Sequence, residues 1–212
     1  MESGRSLDSA IAAVDRALRS IFAPARTTRP APDPPADAAE TLSETDRRRS
    51  AALMRVNHAG ELAAQALYHG QALVARSRTT RDMLLAAARS ESDHLAWCES
   101  RLRELGARPS LLDPLWYVGS FAIGAAAAFL GDRASLGFVA ETERQVEGHL
   151  DEHLGRLPAG DGRSRAILQA MRAEEIAHGA SAMAAGGTAL PTPVRALMRH
   201  TARVMTGTAY WI

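Results

Sequence analysis

Glu91-Ser-Asp-His94 and Glu175-Ile-Ala-His178 repeat one spacing in two distant parts of the chain. On a helix, positions i and i+3 lie about one turn apart on one face, so each stretch brings a carboxylate and an imidazole to one point. A single copy is weak evidence, because composition alone gives roughly 0.4 such pairs in a chain with seven histidines. The surroundings of the two copies say more. Glu61 lies 30 residues before Glu91, and Glu143 lies 32 before Glu175. Folded as antiparallel hairpins, the two pairs have midpoints at residues 76 and 159. The first is beside Ser77-Arg78-Thr79-Thr80, the second within Pro158-Ala159-Gly160-Asp161-Gly162. Both are turn sequences, so each glutamate comes level with its Glu-x-x-His partner.

The chain therefore reads as one unit used twice: glutamate helix, turn, Glu-x-x-His helix. The 48 residues between His94 and Glu143 supply a single long crossover. The expected fold is all-α: a ferritin-like four-helix bundle with one long crossover and additional short terminal helices. Helices are expected over 43–76, 79–105, 115–157 with a break near Gly131-Asp132, 161–185, and 194–206, with stops at Gly106 and Gly186-Gly187. Leu7–Phe22 carries helical spacing (Ile11, Val14, Leu18, Ile21) with Asp8 or Ser9 as its cap. Five prolines in residues 24–35 then predict a linker. Residues 1–40 are thus expected as an N-terminal helix and linker, and residues 41–212 as the ferritin-like di-iron catalytic domain.

Composition narrows the chemistry. A net charge of +1 points to no nucleic acid and no acidic partner. The one cysteine, Cys98, excludes an internal disulfide and a cysteine-built cluster, fits a reducing compartment, and is most simply a core filler. No secretory signal is read at the N-terminus. The longest uncharged run, residues 114–131, holds three glycines and a serine and is expected as a buried helix rather than a membrane span.

Four carboxylates and two imidazoles suit two iron or manganese ions better than copper or structural zinc. Without a cation, four buried carboxylates would cost several kcal/mol each or take up protons. Taken singly, Glu61 reads as a solvated helix residue. Gly60, Ala59, Ala63 and Ala64 make its surroundings small and apolar instead. Glu175 competes with Glu174, which lies about 100° away around the helix and has no histidine at i+3. Glu143 competes with Glu141 and Glu147. His58, three before Glu61 on the same face, is either a ligand in reverse order or, preferred here, a supporting or packing residue, and His149 either hydrogen-bonds a ligand or substrate or faces solvent.

The stretch Arg55-Val-Asn-His-Ala-Gly-Glu61 resembles the demethoxyubiquinone hydroxylase family, the di-iron enzymes of ubiquinone biosynthesis. The likeness runs over about residues 45–212, through Glu91-Ser-Asp-His94, Glu141-Thr-Glu143 with His149 downstream, and Glu174-Glu175-x-x-His178. The family pattern sets the third-helix ligand six residues before a histidine, which selects Glu143. The implied metal ligands are Glu61, Glu91, His94, Glu143, Glu175 and His178. The tyrosine that follows that histidine in some members is Leu150 here, so no role of it carries over.

The resemblance implies two iron ions, O₂ as co-substrate and an external reductant such as NADH. The substrate would be a polyprenylated demethoxy-benzoquinol, hydroxylated at an open ring position. No Gly-x-Gly-x-x-Gly follows a strand, so no Rossmann site for NADH is read. The isoprenoid tail implies peripheral contact at the cytoplasmic face of the cell membrane, with other ubiquinone-biosynthesis proteins as partners. Residues 115–130 and the basic C-terminal helix with Arg195, Arg199 and Arg203 are the candidate contacts. A ferritin-like iron-storage or peroxidase protein would share the six ligands without the membrane.

Overall fold

A computed structural model describes residues 2–34 and 42–212, with side chains described from residue 11 in the first of these segments. Every element among them is helical: α1 (Glu2–Phe22), α2 (Glu44–Val74), α3 (Arg78–Glu104), α4 (Asp113–Phe129), α5 (Asp132–Arg156), α6 (Gly162–Ala184) and α7 (Thr192–Ala209). Helices α2, α3, α5 and α6 form the four-helix bundle. α2–α3 and α5–α6 are the two hairpins, and α4 spans the crossover between them.

Local chemistry sets the ends. Ser43 caps α2 by accepting the Asp46 amide at 3.1 Å, and Ser77 caps α3 through the Thr80 amide at 3.0 Å. Asp161 caps α6 through the Ser164 amide at 2.9 Å, and the same oxygen takes a 2.8 Å bond from the buried Arg101 guanidinium. The expected break falls at Gly131, whose φ of 104° no L side chain adopts without strain. Asp132, just beyond it, accepts the Arg76 and Ser77 amides at 2.9 and 2.8 Å, so the crossover's end is fastened to the first hairpin turn.

Two apolar layers fill the bundle on either side of a polar middle. One holds Leu53, Met54, Leu102, Leu150, Ile167, Leu168 and Met171 with Cys98 as filler, and the other holds Tyr68, Leu84, Val139 and Ala182. Between them, on all four helices, lie the positions of the repeated carboxylates.

Four expectations change. α1 begins at Glu2, so Asp8 and Ser9 lie within the helix rather than at its cap. α1 and α7, at 21 and 18 residues, are longer than the sequence suggests. The proline-rich segment is docked where it is described. The Ala25 amide donates to Glu99 at 3.0 Å, and residues 27–29 bind Asp93, because polar groups between the prolines find charged partners on α3. The start of the catalytic domain near Thr41 lies outside the described residues. Finally, α4 is not enclosed. Its inner face packs on α2, but Leu115, Val118, Ile123, Phe129 and Leu130 are exposed, since a helix apolar on all sides has one face too many for one neighbour.

α2 and α4 meet glycine to backbone. A Cβ on Gly70 would run into the Phe121 carbonyl, and one on Gly124 into the Leu67 carbonyl. Gly70→Ala or Gly124→Ala is therefore expected to cost about 1–3 kcal/mol through forced separation of the helices. Gly148→Ala, where a Cβ meets nothing within 4 Å, is expected to be neutral or to stabilise by about 0.5–1 kcal/mol. Thermal melts of the three variants check the contrast.

Candidate metal centre

Glu61 stands on α2, Glu91 and His94 on α3, Glu143 on α5, and Glu175 and His178 on α6. The hairpin turns bring them to one level. Glu61, Glu91, His94 and Glu175 form one group whose ligand atoms all lie within 4.8 Å of one another. Glu91, Glu143, Glu175 and His178 form a second. Glu91 and Glu175 belong to both. The four carboxylates are 2% exposed or less, so water cannot compensate their charge.

His94 Nδ1 faces Glu91 at 3.0 Å, Glu175 at 3.0 Å and Glu61 at 3.3 Å. His178 Nδ1 faces Glu91 and Glu175, each at 3.5 Å, and Glu143 at 3.9 Å. The Tyr68 hydroxyl, in from α2, donates to Glu143. Glu91 Oε1, Glu143 Oε2, both Glu175 oxygens and His178 Nδ1 are buried with no hydrogen bond. Buried polar atoms are rarely left this way, and here five converge on one space. Carboxylate and imidazole donors in that arrangement fit a pair of divalent cations such as iron.

The protonation pattern says the same. Burial, then the Glu175 charge, raises the Glu91 carboxyl well above the usual range. Burial with Glu175 and Glu91 does the same to Glu143. Burial also opposes ionisation of Glu175, but the close approach of His178, His94 and Glu143 outweighs it and holds that carboxyl at about 2. Burial disfavours charge on His94 as well, yet its carboxylate partners, Glu174 first, raise it well above the ordinary imidazole value. The metal-free cluster thus keeps protons where cations would sit.

The other candidates fall elsewhere. Glu141 accepts from Arg144 and Gln145, and Glu147 from Arg172, both away from the cluster. His58 pairs with Asp113 at the start of α4, 3.3 Å away. His149 packs against His153, with ring centroids 3.9 Å apart and the planes tilted by 55°, and burial lowers it to about 4. Asn57 Oδ1 lies 2.9 Å from His153 Nδ1, which ties α2 to α5 just before Glu61.

Sequence reasoning missed two neighbours of the site. Tyr68 lies seven residues after Glu61, two turns along the same face, and that spacing was the available signal. Glu174 is no member of either group. Its Oε2 lies 3.2 Å from His94 Nε2, on the far side of the ring. Bonds to His94 and Arg29 hold its carboxyl at about 2 against burial. A carboxylate behind a ligating histidine fixes which nitrogen keeps the proton and how the ring points.

Comparison with known proteins points to one family. The family model described as "Ubiquinone biosynthesis protein COQ7" matches residues 48–209. A relative from Cupriavidus necator, named 3-demethoxyubiquinol 3-hydroxylase, is 60% identical over 97% of this chain and 100% of its own. Relatives of the same name from Ralstonia pickettii and Bordetella parapertussis are 58% and 56% identical, each over 97% of this chain, covering 100% and 93% of their own.

Because Glu91 and Glu143 hold protons in the metal-free protein, filling the site must expel them. Adding ferrous or cobalt(II) ions to unbuffered protein is expected to acidify the solution, and metal affinity is expected to rise with pH. Measured proton uptake or no proton change would mean that the cluster is already ionised.

Proposed function

The chain belongs to the ubiquinone biosynthesis protein COQ7 family, and on that premise we propose that it is a 3-demethoxyubiquinol 3-hydroxylase working through two iron ions. The observation that carries the reading is the pair of overlapping ligand groups sharing Glu91 and Glu175. Glu61 and His94 would complete the hold on one ion, Glu143 and His178 on the other. When bound, the two ions supply the binding and activation of O₂.

The net chemistry balances simply. A ring C–H becomes C–OH with one oxygen atom from O₂. The second atom leaves as water, using two electrons from an external reductant such as NADH and two protons, one of them from solvent. The protein's own residues do the rest. Tyr68 keeps its proton, because burial and the Glu143 charge hold the phenol well above its usual value, so it serves as a fixed donor to Glu143. His94 is closed off completely, whereas the His178 side chain is 23% exposed. That difference favours an approach for substrate from the His178 side. With enzyme, iron, reductant and a short-tailed demethoxyubiquinol under ¹⁸O₂, the product is expected to carry one labelled oxygen in the new hydroxyl. Label arriving from water instead of O₂ would overturn the assignment.

A polyprenyl tail, at roughly 0.8 kcal/mol per buried methylene, does not cross water freely. Among the described residues no helix is long and apolar enough to cross a membrane. We infer instead a peripheral position, at the cytoplasmic face given the reducing compartment that fits Cys98. α4 and α7 lie on the α2–α5 side of the bundle, and both turn apolar residues outward: Phe129 and Leu130 on the first, Leu197 and Val204 on the second, with Trp211 beyond it. Of the three arginines expected to meet headgroups, Arg199 and Arg203 are exposed. Arg195 is half-buried and its Nε is shielded from solvent, so it faces the bundle. The double variants Phe129→Glu/Leu130→Glu and Leu197→Glu/Val204→Glu are expected to lower flotation with anionic vesicles while keeping metal content. Parental flotation by both would remove these faces from the lipid contact.

A further inference from the structure

Residues 25–29 cross from α3 to α6 on the outside of the bundle, and Arg29 is the centre of that crossing. Its Nη1 and Nη2 donate to the two Glu174 oxygens at 2.8 Å each, and its Nε donates to Asp93 at 2.8 Å. Its carbonyl accepts from Trp97 Nε1 at 3.2 Å, and its guanidinium lies 5.1 Å above the Trp97 ring. Asp93 also accepts the Thr28 amide at 2.7 Å and the Thr27 hydroxyl at 2.9 Å. Both Glu-x-x-His helices are therefore gripped by one side chain, immediately beside His94 and Glu175.

We propose that Arg29, which lies outside the residues matched by the family model, is a positioning residue of the metal centre: it locks Glu174 behind His94 so that Nδ1 points into the carboxylate cluster. Glu174 has two ways to go wrong. It is next in sequence to Glu175 and its side chain is 27% exposed, so a free Glu174 can swing to solvent and release the imidazole. It can also offer its own oxygens to a cation. A fork-to-fork pair with Arg29 prevents both, because the two parallel bonds fix the carboxylate plane as well as its place. With Glu174 held as acceptor for Nε2–H, Nδ1, 3.0 Å from both shared glutamates, is the nitrogen that would be free to bind a cation.

The two halves of the centre differ in this respect. The position before Glu91, equivalent by repeat to Glu174, is Ser90, which has no acid to set behind His178. Arg29 therefore acts on one ion only. Arg29→Gln keeps a polar side chain but loses the fork; Arg29→Lys keeps the charge with a single point of contact.

The inference rests on the two-metal reading and is tested separately from it, with cobalt(II) as the probe. If the parent chain binds no cobalt, the metal reading fails. If the parent binds two, Arg29→Gln is expected to weaken one of the two ions by about 10–100-fold and to change the visible cobalt spectrum of that site alone, with Arg29→Lys between. Glu174→Gln is expected to give the same change, with no further loss when combined with Arg29→Gln. Thr28→Ala, which removes a hydroxyl contact to Asp93 at 3.2 Å and leaves the Arg29 guanidinium in place, is expected to lower the melting temperature and leave the spectrum unchanged. Parental affinities and spectra in both Arg29→Gln and Glu174→Gln would reduce the strap to a structural staple and overturn the proposal. Should Arg29→Gln not fold, Glu174→Gln and Arg29→Lys decide by the same spectrum.

Discussion

Four carboxylates at the centre of an apolar bundle repel one another across a few ångströms with no water to screen them. Each would cost several kcal/mol to keep ionised in isolation, which is comparable to the whole stability of a domain this size. Cations or protons must supply the balance, and the rest of the architecture serves that need. Rigid helices hold the oxygens together, the two hairpins bring them level, and layers of leucine, methionine and alanine on both sides supply the burial that offsets the repulsion. The crossover and the second hairpin turn are then fastened away from the cluster, by Asp132 at the first turn and the buried Arg101–Asp161 pair at the second.

Much of this was legible because it depends on periodicity. Ligand positions repeat along helices of known rise, and turn sequences fall midway between them, so the hairpins and their common level follow from counting residues. The bundle and the common level of the ligand positions required nothing else, whereas the choice of Glu143 over Glu141 and Glu147 also needed the family resemblance. What stayed hidden depends on direction rather than spacing. Glu174 looked like a losing rival to Glu175, and it is turned away from the cluster. Its contact with the back of His94 depends on the tilt of that ring and on a strap from a distant segment, neither of which leaves a periodic trace. Prolines in residues 24–35 indicate extended backbone but not its partner, so Arg29 was invisible as a clamp. Arg195, Arg199 and Arg203 share a spacing, yet the roll of α7 on the bundle turns the first inward.

The repeat itself is imperfect in an informative way. Both halves supply a helix glutamate and a Glu-x-x-His pair, but His94 is closed off and backed by Glu174, while His178 is partly open and its Nδ1 lacks a hydrogen bond. Twofold geometry with unequal support separates an anchored position from a more yielding one. Under the proposed two-iron reading, that asymmetry lets one side keep its shape while the other adjusts. Tyr68 belongs to the yielding side, as the donor to Glu143.

The seat of α4 on α2 has a consequence of scale. Backbone meets glycine at Gly70 and Gly124, so the two helices cannot slide past one another without unpacking. Gly70 stands nine residues beyond Glu61 on the same helix, about 13 Å at the α-helical rise. Under the proposed lipid contact, the outward face of α4 is a datum plane, and the glycine crossing is the pin that fixes its distance to the centre. The molecule then works as a depth gauge: whichever ring position comes level with the ions is decided by how far the headgroup plane lies from that pin.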